Sequence, residues 1–185
     1  MRAFTAARDA ATPDRLWIAE HPPVYTLGTG ADFSHGPPPG CPIPVCRSER
    51  GGEVTYHGPG QVLLYTLIDL GRRGLGVRDF VTRLEQSVID LLAEHGVAAQ
   101  RRGGAPGVYV ADAKVAALGL RVSRGRCYHG LALNVDMDLA PFSAIDPCGF
   151  PGLRVTQTHD LGIAATADAL GGRLATLLID RLAHA

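Results

Sequence analysis

The sequence predicts an α+β (mixed α/β) fold, a single domain spanning 1–185 around a mixed β-sheet with packed helices. Three features predict it. Residues 77–95 carry a long helical repeat of apolar positions, 62–68 form a near-continuous apolar run, and 107–135 read as a meander of short apolar segments. Strands and helices are mixed without strict alternation, the pattern of helices packed on one main sheet. At 185 residues the chain suits one domain and is long enough to bury a proper core.

In chain order, Leu16-Trp17-Ile18 and Val24-Tyr25-Thr26-Leu27 read as short strands either side of the Pro22-Pro23 break. Residues 28–44 form a loop rich in Gly and Pro. Val62 to Ile68 is apolar at nearly every position, as a buried strand is. Val77, Phe80, Val81, Leu84, Val88, Leu91 and Leu92 then share one helical face, with Gly96 where a C-terminal cap belongs. Gly107 to Val110, Lys114 to Val122 and Cys127 to Val135 read as strands, turned at Ala111-Asp112-Ala113 and at Ser123-Arg124-Gly125. Residues 136–160 are loop-like. A second helical pattern covers 163–183 through Leu170, Leu174, Leu177, Leu178 and Leu182, with Gly171-Gly172 weakening its middle.

Composition narrows the function classes. With 46% hydrophobic and 19% charged residues the chain is globular, and its zero net charge argues against a nucleic-acid partner. No apolar run approaches the ~18–20 residues of a membrane span. The first residues lack the apolar core of a secretory signal, and four scattered cysteines make no disulfide framework, so cytoplasm is the expected compartment. Cys41 and Cys46 have a spacing seen in zinc sites but no second pair, so no metal is expected.

One count points to chemistry. The 18 basic residues are 17 arginines and a single lysine, Lys114. An ammonium gives up its proton when its pKa is lowered, whereas a guanidinium stays charged. Lys114 opens the run Val115-Ala116-Ala117-Leu118-Gly119, whose small residues leave room beside it. It reads either as a solvated turn lysine or as a partly desolvated base. Cys148 sits between Pro147 and Gly149, on a turn that would hold a thiol exposed and fixed; the alternative is a small buried hydrophobe. For Cys41, Cys46 and Cys127 the buried-hydrophobe reading is the simpler one. Arg50-Gly-Gly-Glu-Val-Thr-Tyr-His-Gly-Pro-Gly-Gln61 lets backbone approach a ligand closely but lacks the ending of a phosphate loop. Of the histidines followed by Gly or Pro, His57 is the expected pocket residue and His129 the expected strand histidine.

Together, Arg50–Gln61, Ala105-Pro-Gly-Val-Tyr109, Lys114–Arg121, His129-Gly-Leu-Ala-Leu-Asn-Val135, Pro141-Phe142 and Asp146-Pro-Cys-Gly149 resemble the octanoyltransferase (lipoyl/octanoyl transferase) family of lipoate biosynthesis, over about residues 17–155. The resemblance implies octanoyl transfer from acyl carrier protein to a lysine of lipoyl domains, in 2-oxoacid dehydrogenases and the glycine-cleavage H protein. It implies a Cys148 thioester with Lys114 as acid and base, no cofactor, and a fold shared with biotin and lipoate ligases. It places the pocket at Arg50, Gly51, Gly52, Glu53, Val54, Thr55, Tyr56 and His57, at Ala117, Leu118 and Gly119, and at Gly130, Leu131 and Ala132. A groove lined by Leu118, Leu131 and small residues would hold the acyl tail, worth on the order of 5 kcal/mol at about 0.8 kcal/mol per methylene. Arg72, Arg73, Arg101, Arg102, Arg121, Arg124 and Arg126 are either a docking face for an acidic carrier or a solvated surface. Two other readings compete: an ATP-dependent lipoate or biotin ligase of the same fold, with Arg124-Gly125-Arg126 as a fragment of a ligase loop, and a non-catalytic acyl-binding or lipoyl-domain-binding protein.

Overall fold

The computed structural model describes residues 1–146 and 152–183. Six strands make the large sheet: β1 (Arg15–Ala19), β5 (Gln61–Asp69), β9 (Arg126–Asn134), β8 (Ala113–Ser123), β7 (Gly107–Val110) and β6 (Gln100–Arg101), in that spatial order. Every neighbouring pair in it is antiparallel. Three strands make a smaller sheet in the order β3 (Val45–Arg47), β2 (Val24–Leu27), β4 (Val54–His57); among the strands of the described residues only β2 and β3 pair in parallel, and one isolated parallel bridge joins Lys114 and Val155.

The near-continuous apolar run of β5 has a direct cause: the strand is covered on both faces. Val62, Leu64 and Ile68 point to a core shared with two helices, α2 (Val77–Glu94) and α3 (Ala167–Ala183). Leu63 and Tyr65 point the other way, toward the small sheet. The β8–β9 hairpin closes on Arg124 and Gly125 at φ 51° and 75°, both left-handed, as a two-residue hairpin turn requires.

Helix α2 ends where the sequence predicts, with Gly96 at φ 75° and the Val97 amide closing on the Leu92 carbonyl. Helix α3 starts at Ala167 rather than 163, where the Thr166 hydroxyl accepts from the Ala169 amide at 3.3 Å. It passes through Gly171-Gly172 unbroken. A β-carbon at Gly171 would lie 3.0 Å from Ile18 Cγ2 and 3.2 Å from Val62 Cγ1, so this glycine lets the helix sit close on the sheet.

Of the small sheet only β2, at Val24–Leu27, was foreshadowed by hydropathy. All three residues of β3 are exposed, and β4 lies inside the Gly-rich segment after Arg50. Cys46, expected as a buried hydrophobe, is exposed on β3, whereas Cys127 is fully buried and burial pushes its thiol up to about 12. Tyr25, Leu27, Val54 and Tyr56 alternate onto a second core with Met137, Phe142 and Ile145. A short helix, α1 (Arg2–Ala7), precedes β1 and leads into the buried Arg8.

Candidate active site

A cavity of about 470 Å³ lies between the two sheets. Its floor is the face of the large sheet opposite the helices, and strand register sets its shape. Leu63 pairs with Ala132 and Ala132 with Ala117; in the next row Tyr65 pairs with Gly130 and Gly130 with Gly119. Four small residues on two adjacent strands hollow out the floor. Leu118 and Leu131 pair with each other and with Leu64 in the helix-side core, so they border the cavity through their backbone. The groove is therefore lined by the small residues and not by these leucine side chains.

The small sheet supplies the opposite wall by the same alternation. Val24 and Thr26 on β2, with Thr55 and His57 on β4, face the cavity, while Tyr56 turns to the second core and packs edge-on to Phe142 at 5.5 Å. Arg50, Gly52, Glu53 and Val54 complete the predicted wall. Gly51 and Tyr56 do not border the cavity; the Gly51 amide instead donates to the Leu120 carbonyl at 2.8 Å, tying the loop to β8. Arg50 lies over Gly119, where a β-carbon would meet its Cδ at 3.0 Å.

Lys114 reaches this face through a bulge. Tyr109 pairs with Lys114 but Val108 with Ala116, leaving an extra residue on β8. Val115 and Ala116 consequently both point into the helix-side core, at 0% and 1% exposure. Strict alternation from Ala116 would have sent Lys114 into that core as well. The bulge turns it to the face opposite the helices, beside the cavity but not among the residues that line it, as bulges near functional groups commonly do. Lys114 is 4% exposed, so the solvated-turn reading is overturned. Its Nζ lies 5.3 Å from the Tyr109 ring centroid and its stem crosses Gly107. Its amide donates to the Arg154 carbonyl at 2.8 Å, and its carbonyl accepts from the Thr156 amide at 3.0 Å.

Cys148 falls outside the described residues. The chain on either side of 147–151 is fixed: the Asp146 amide donates to the His35 carbonyl at 3.1 Å, and residues 154–156 run parallel to Lys114.

Two histidines of the cavity are held neutral. Burial pushes His57 down to about 4; the hydrogen bond it donates to Gln61 Oε1 works the other way, and the Arg50 charge adds to the lowering. Burial and then Arg50 push His129 to about 4. His129, expected as an ordinary strand histidine, lines the cavity instead, at φ 64° and stacked on Tyr128. Sequence reasoning also missed His21 and Tyr65, hydrogen-bonded at 2.5 Å. Tyr65 was within reach, because it shares a strand face with Leu63; His21 lies after β1 with no periodicity to reveal it.

Five of the seven arginines expected as a docking face or a solvated surface form ion pairs with other described residues of the chain. Arg72 and Arg73 close on Asp14 at 2.8 and 2.7 Å, Arg101 on Glu85 at 3.3 Å, Arg102 on Asp112 at 2.5 Å and Arg126 on Asp69 at 3.7 Å. Among the described residues no group of three or more His, Cys, Asp or Glu side chains is arranged to hold a metal, and no helix is long and apolar enough to cross a membrane.

The sequence model of the lipoyl protein ligase A/B catalytic domain matches residues 1–175. An octanoyltransferase from Dechloromonas aromatica is 57% identical over 187 residues, covering 98% of this chain and 88% of its own. The chain belongs to the octanoyltransferase family, a family of acyltransferases. A second octanoyltransferase, from Thiobacillus denitrificans, is 62% identical over 163 residues, covering 88% of this chain and 74% of its own. Among solved structures, the bi-partite lipoate protein ligase of Thermoplasma acidophilum superposes with a TM-score of 0.78 at 17% identity, covering 99% of this chain and 76% of that one. A biotin protein ligase from Aquifex aeolicus gives a TM-score of 0.56 at 16% identity, covering 68% and 54%. At such identities the likeness is one of fold alone.

Proposed function

We propose that the chain moves an octanoyl group from acyl carrier protein to a lysine of lipoyl domains, those of 2-oxoacid dehydrogenases and the glycine-cleavage H protein. The group rides on Cys148 as a thioester while Lys114 carries the proton. The observation that carries this reading is Lys114 itself: the chain's single lysine is buried, and a bulge turns it to the cavity side of β8.

The Cys148 thiol passes its proton toward Lys114, and its sulfur attacks the octanoyl carbonyl. A new carbon–sulfur bond forms, the carrier's carbon–sulfur bond breaks, and the carrier thiolate takes up the proton. An acceptor lysine then attacks the acyl-enzyme. The amide forms, the Cys148 sulfur leaves, and the proton lost by the amine returns through Lys114. The tail lies over Ala117, Ala132, Gly119 and Gly130, a floor without side chains beyond a methyl. His57 and His129, held neutral, add no charge of their own for a hydrocarbon tail to desolvate, and the charged groups of the lining are Arg50 and Glu53.

Initial rates of octanoyl transfer to an isolated lipoyl domain, without ATP and with both substrates varied, test this. Parallel double-reciprocal lines are expected of a covalent intermediate. Transfer that appears only with free octanoate and ATP would establish the ligase reading in its place.

A further inference from the structure

A directed chain of hydrogen bonds, buried at its centre and part-buried at its ends, runs from the cavity wall through Gln61 and Asn134, to which the proposed reaction gives no role. It starts at Arg50, whose Nε and Nη2 donate to Thr26 Oγ1 at 3.1 and 2.9 Å. Thr26 Oγ1 lies 3.3 Å from His57 Nε2, and His57 Nδ1 lies 2.7 Å from Gln61 Oε1. Gln61 Nε2 donates to Asn134 Oδ1 at 2.9 Å, and Asn134 Nδ2 donates to the Thr156 carbonyl at 2.9 Å. His57, Gln61 and Asn134 are all buried.

The direction of the chain follows from its end. A backbone carbonyl only accepts, so Asn134 presents its NH2 to Thr156 and its oxygen to Gln61. Gln61 independently aims its NH2 at the Tyr56 carbonyl, 3.4 Å away, which leaves its oxygen for His57. Nδ1 of His57 must then bear the ring proton, and bare Nε2 accepts from the Thr26 hydroxyl. Thr26 in turn accepts from a guanidinium, which only donates. Each link donates toward Thr156.

The far end adjoins Lys114. The Thr156 amide donates to the Lys114 carbonyl, and the Lys114 amide donates to the Arg154 carbonyl. One chain thus ties Arg50, over Gly119, to the backbone that carries Lys114. Buried polar groups cost stability unless every one is satisfied, and an apolar filling would hold the two sheets together with less risk.

Resting on the reading of Lys114 as the proton carrier, we infer that Gln61 and Asn134 are positioning residues for acyl transfer. Through Thr156 they fix the segment beside Lys114, and through a His57 locked with its proton on Nδ1 they register it against the Arg50 end of the cavity.

Gln61→Glu tests this, because the introduced carboxylate keeps its size and still accepts from His57 but cannot donate to Asn134. The measurements are steady-state octanoyl transfer from octanoyl-acyl carrier protein to a lipoyl domain, the mass of the Cys148 thioester, the 15N shifts of the His57 ring, and the melting temperature. In the wild type at neutral pH the ring proton is expected on Nδ1, with Nε2 bare. In Q61E both ring nitrogens are expected to be protonated, and kcat to fall about tenfold to a hundredfold with KM changed less than about twofold. Thr26→Val, which cuts the chain at its half-exposed end and carries the test if Q61E does not fold, should lower kcat several-fold with KM held. A wild-type proton on Nε2, or an unchanged kcat in the folded variants, overturns the inference. A wild type that forms no octanoyl thioester overturns the transfer reading and this role with it, whereas normal wild-type acylation with an unchanged Q61E overturns the positioning role alone.

Discussion

Gly107 lies directly beneath Lys114: a β-carbon there would come 3.0 Å from Lys114 Cε and 2.7 Å from the Ala116 carbonyl oxygen. At φ 142° the position also lies where side chains are rarely tolerated. Its amide is held by the buried Glu85 carboxylate at 2.9 Å, so helix α2 fixes the strand over which the lysine is laid. Gly107→Ala is expected to cost about 1–3 kcal/mol in stability and to displace the amine from its working position. Its transfer rate at a temperature where it stays folded should drop well beyond what the stability loss explains.

Lys114→Met separates the amine from its stem. The substituted side chain fills much the same volume, so the fold should keep or gain stability, while the transfer rate should fall by about 10²–10⁴. Paired melting curves and steady-state rates check it, and a variant with full activity removes Lys114 from proton transfer.

Asp14 joins three arginines, Arg8, Arg72 and Arg73, at 2.6, 2.8 and 2.7 Å. Burial pushes its carboxyl up, but the Asp69 amide, Arg8 and Arg73 reverse this and leave it below the usual carboxylate range. Arg8 is itself buried, so losing the Asp14 charge strands a guanidinium. Asp14→Asn should destabilise the protein by about 3 kcal/mol in denaturant titrations. Because the folded value is depressed, this contribution is full above the unfolded carboxylate range and is lost as pH falls through the folded value.

The neutral histidines add a second dependence in a different window. His57 binds its proton near 6.5 when unfolded but only at about 4 when folded, so the unfolded chain holds more protons between those values. Stability should fall as pH drops through that window, by about 2 kcal/mol between pH 7 and pH 5 for His57, with a smaller share from the more exposed His129. Unfolding free energies at the two pH values measure it, and His57→Gln should flatten the difference.

The paired glycines of α3 should respond oppositely. Gly172 is exposed with open space where a β-carbon would go, so Gly172→Ala should stabilise the helix by about 0.5–1 kcal/mol. At Gly171 the contacts to Ile18 and Val62 should cancel that gain or reverse it, and thermal melts of the two single variants decide.

Much of this architecture was legible because periodicity is strong where one face is buried. Helix α2 and the strands from β7 to β9 follow their apolar spacing closely. Lys114 was legible as an outlier in composition, but its burial was not, because a bulge breaks the alternation by which a strand position is read. The same limit applied to Leu118 and Leu131: their hydrophobicity suggested a lining role, yet register with Leu64 sends them to the helix-side core. Tyr56 was misread as a pocket residue because a Gly-rich segment hid the alternation of β4. The hydrogen-bond chain from Arg50 to Thr156 spans 106 positions in sequence and becomes visible only when the two sheets face each other.

The central claim is a covalent octanoyl-enzyme on Cys148. The measurement that meets it most directly is intact-protein mass spectrometry after mixing with octanoyl-acyl carrier protein in the absence of ATP, comparing wild type with Cys148→Ser. The account predicts a thiol-labile octanoyl adduct on the wild type, mapped to Cys148, absent or not thiol-labile in the variant, and discharged by a lipoyl domain. A wild type that transfers octanoate without ever bearing that adduct, or a Cys148→Ser protein that transfers at the wild-type rate, would contradict it.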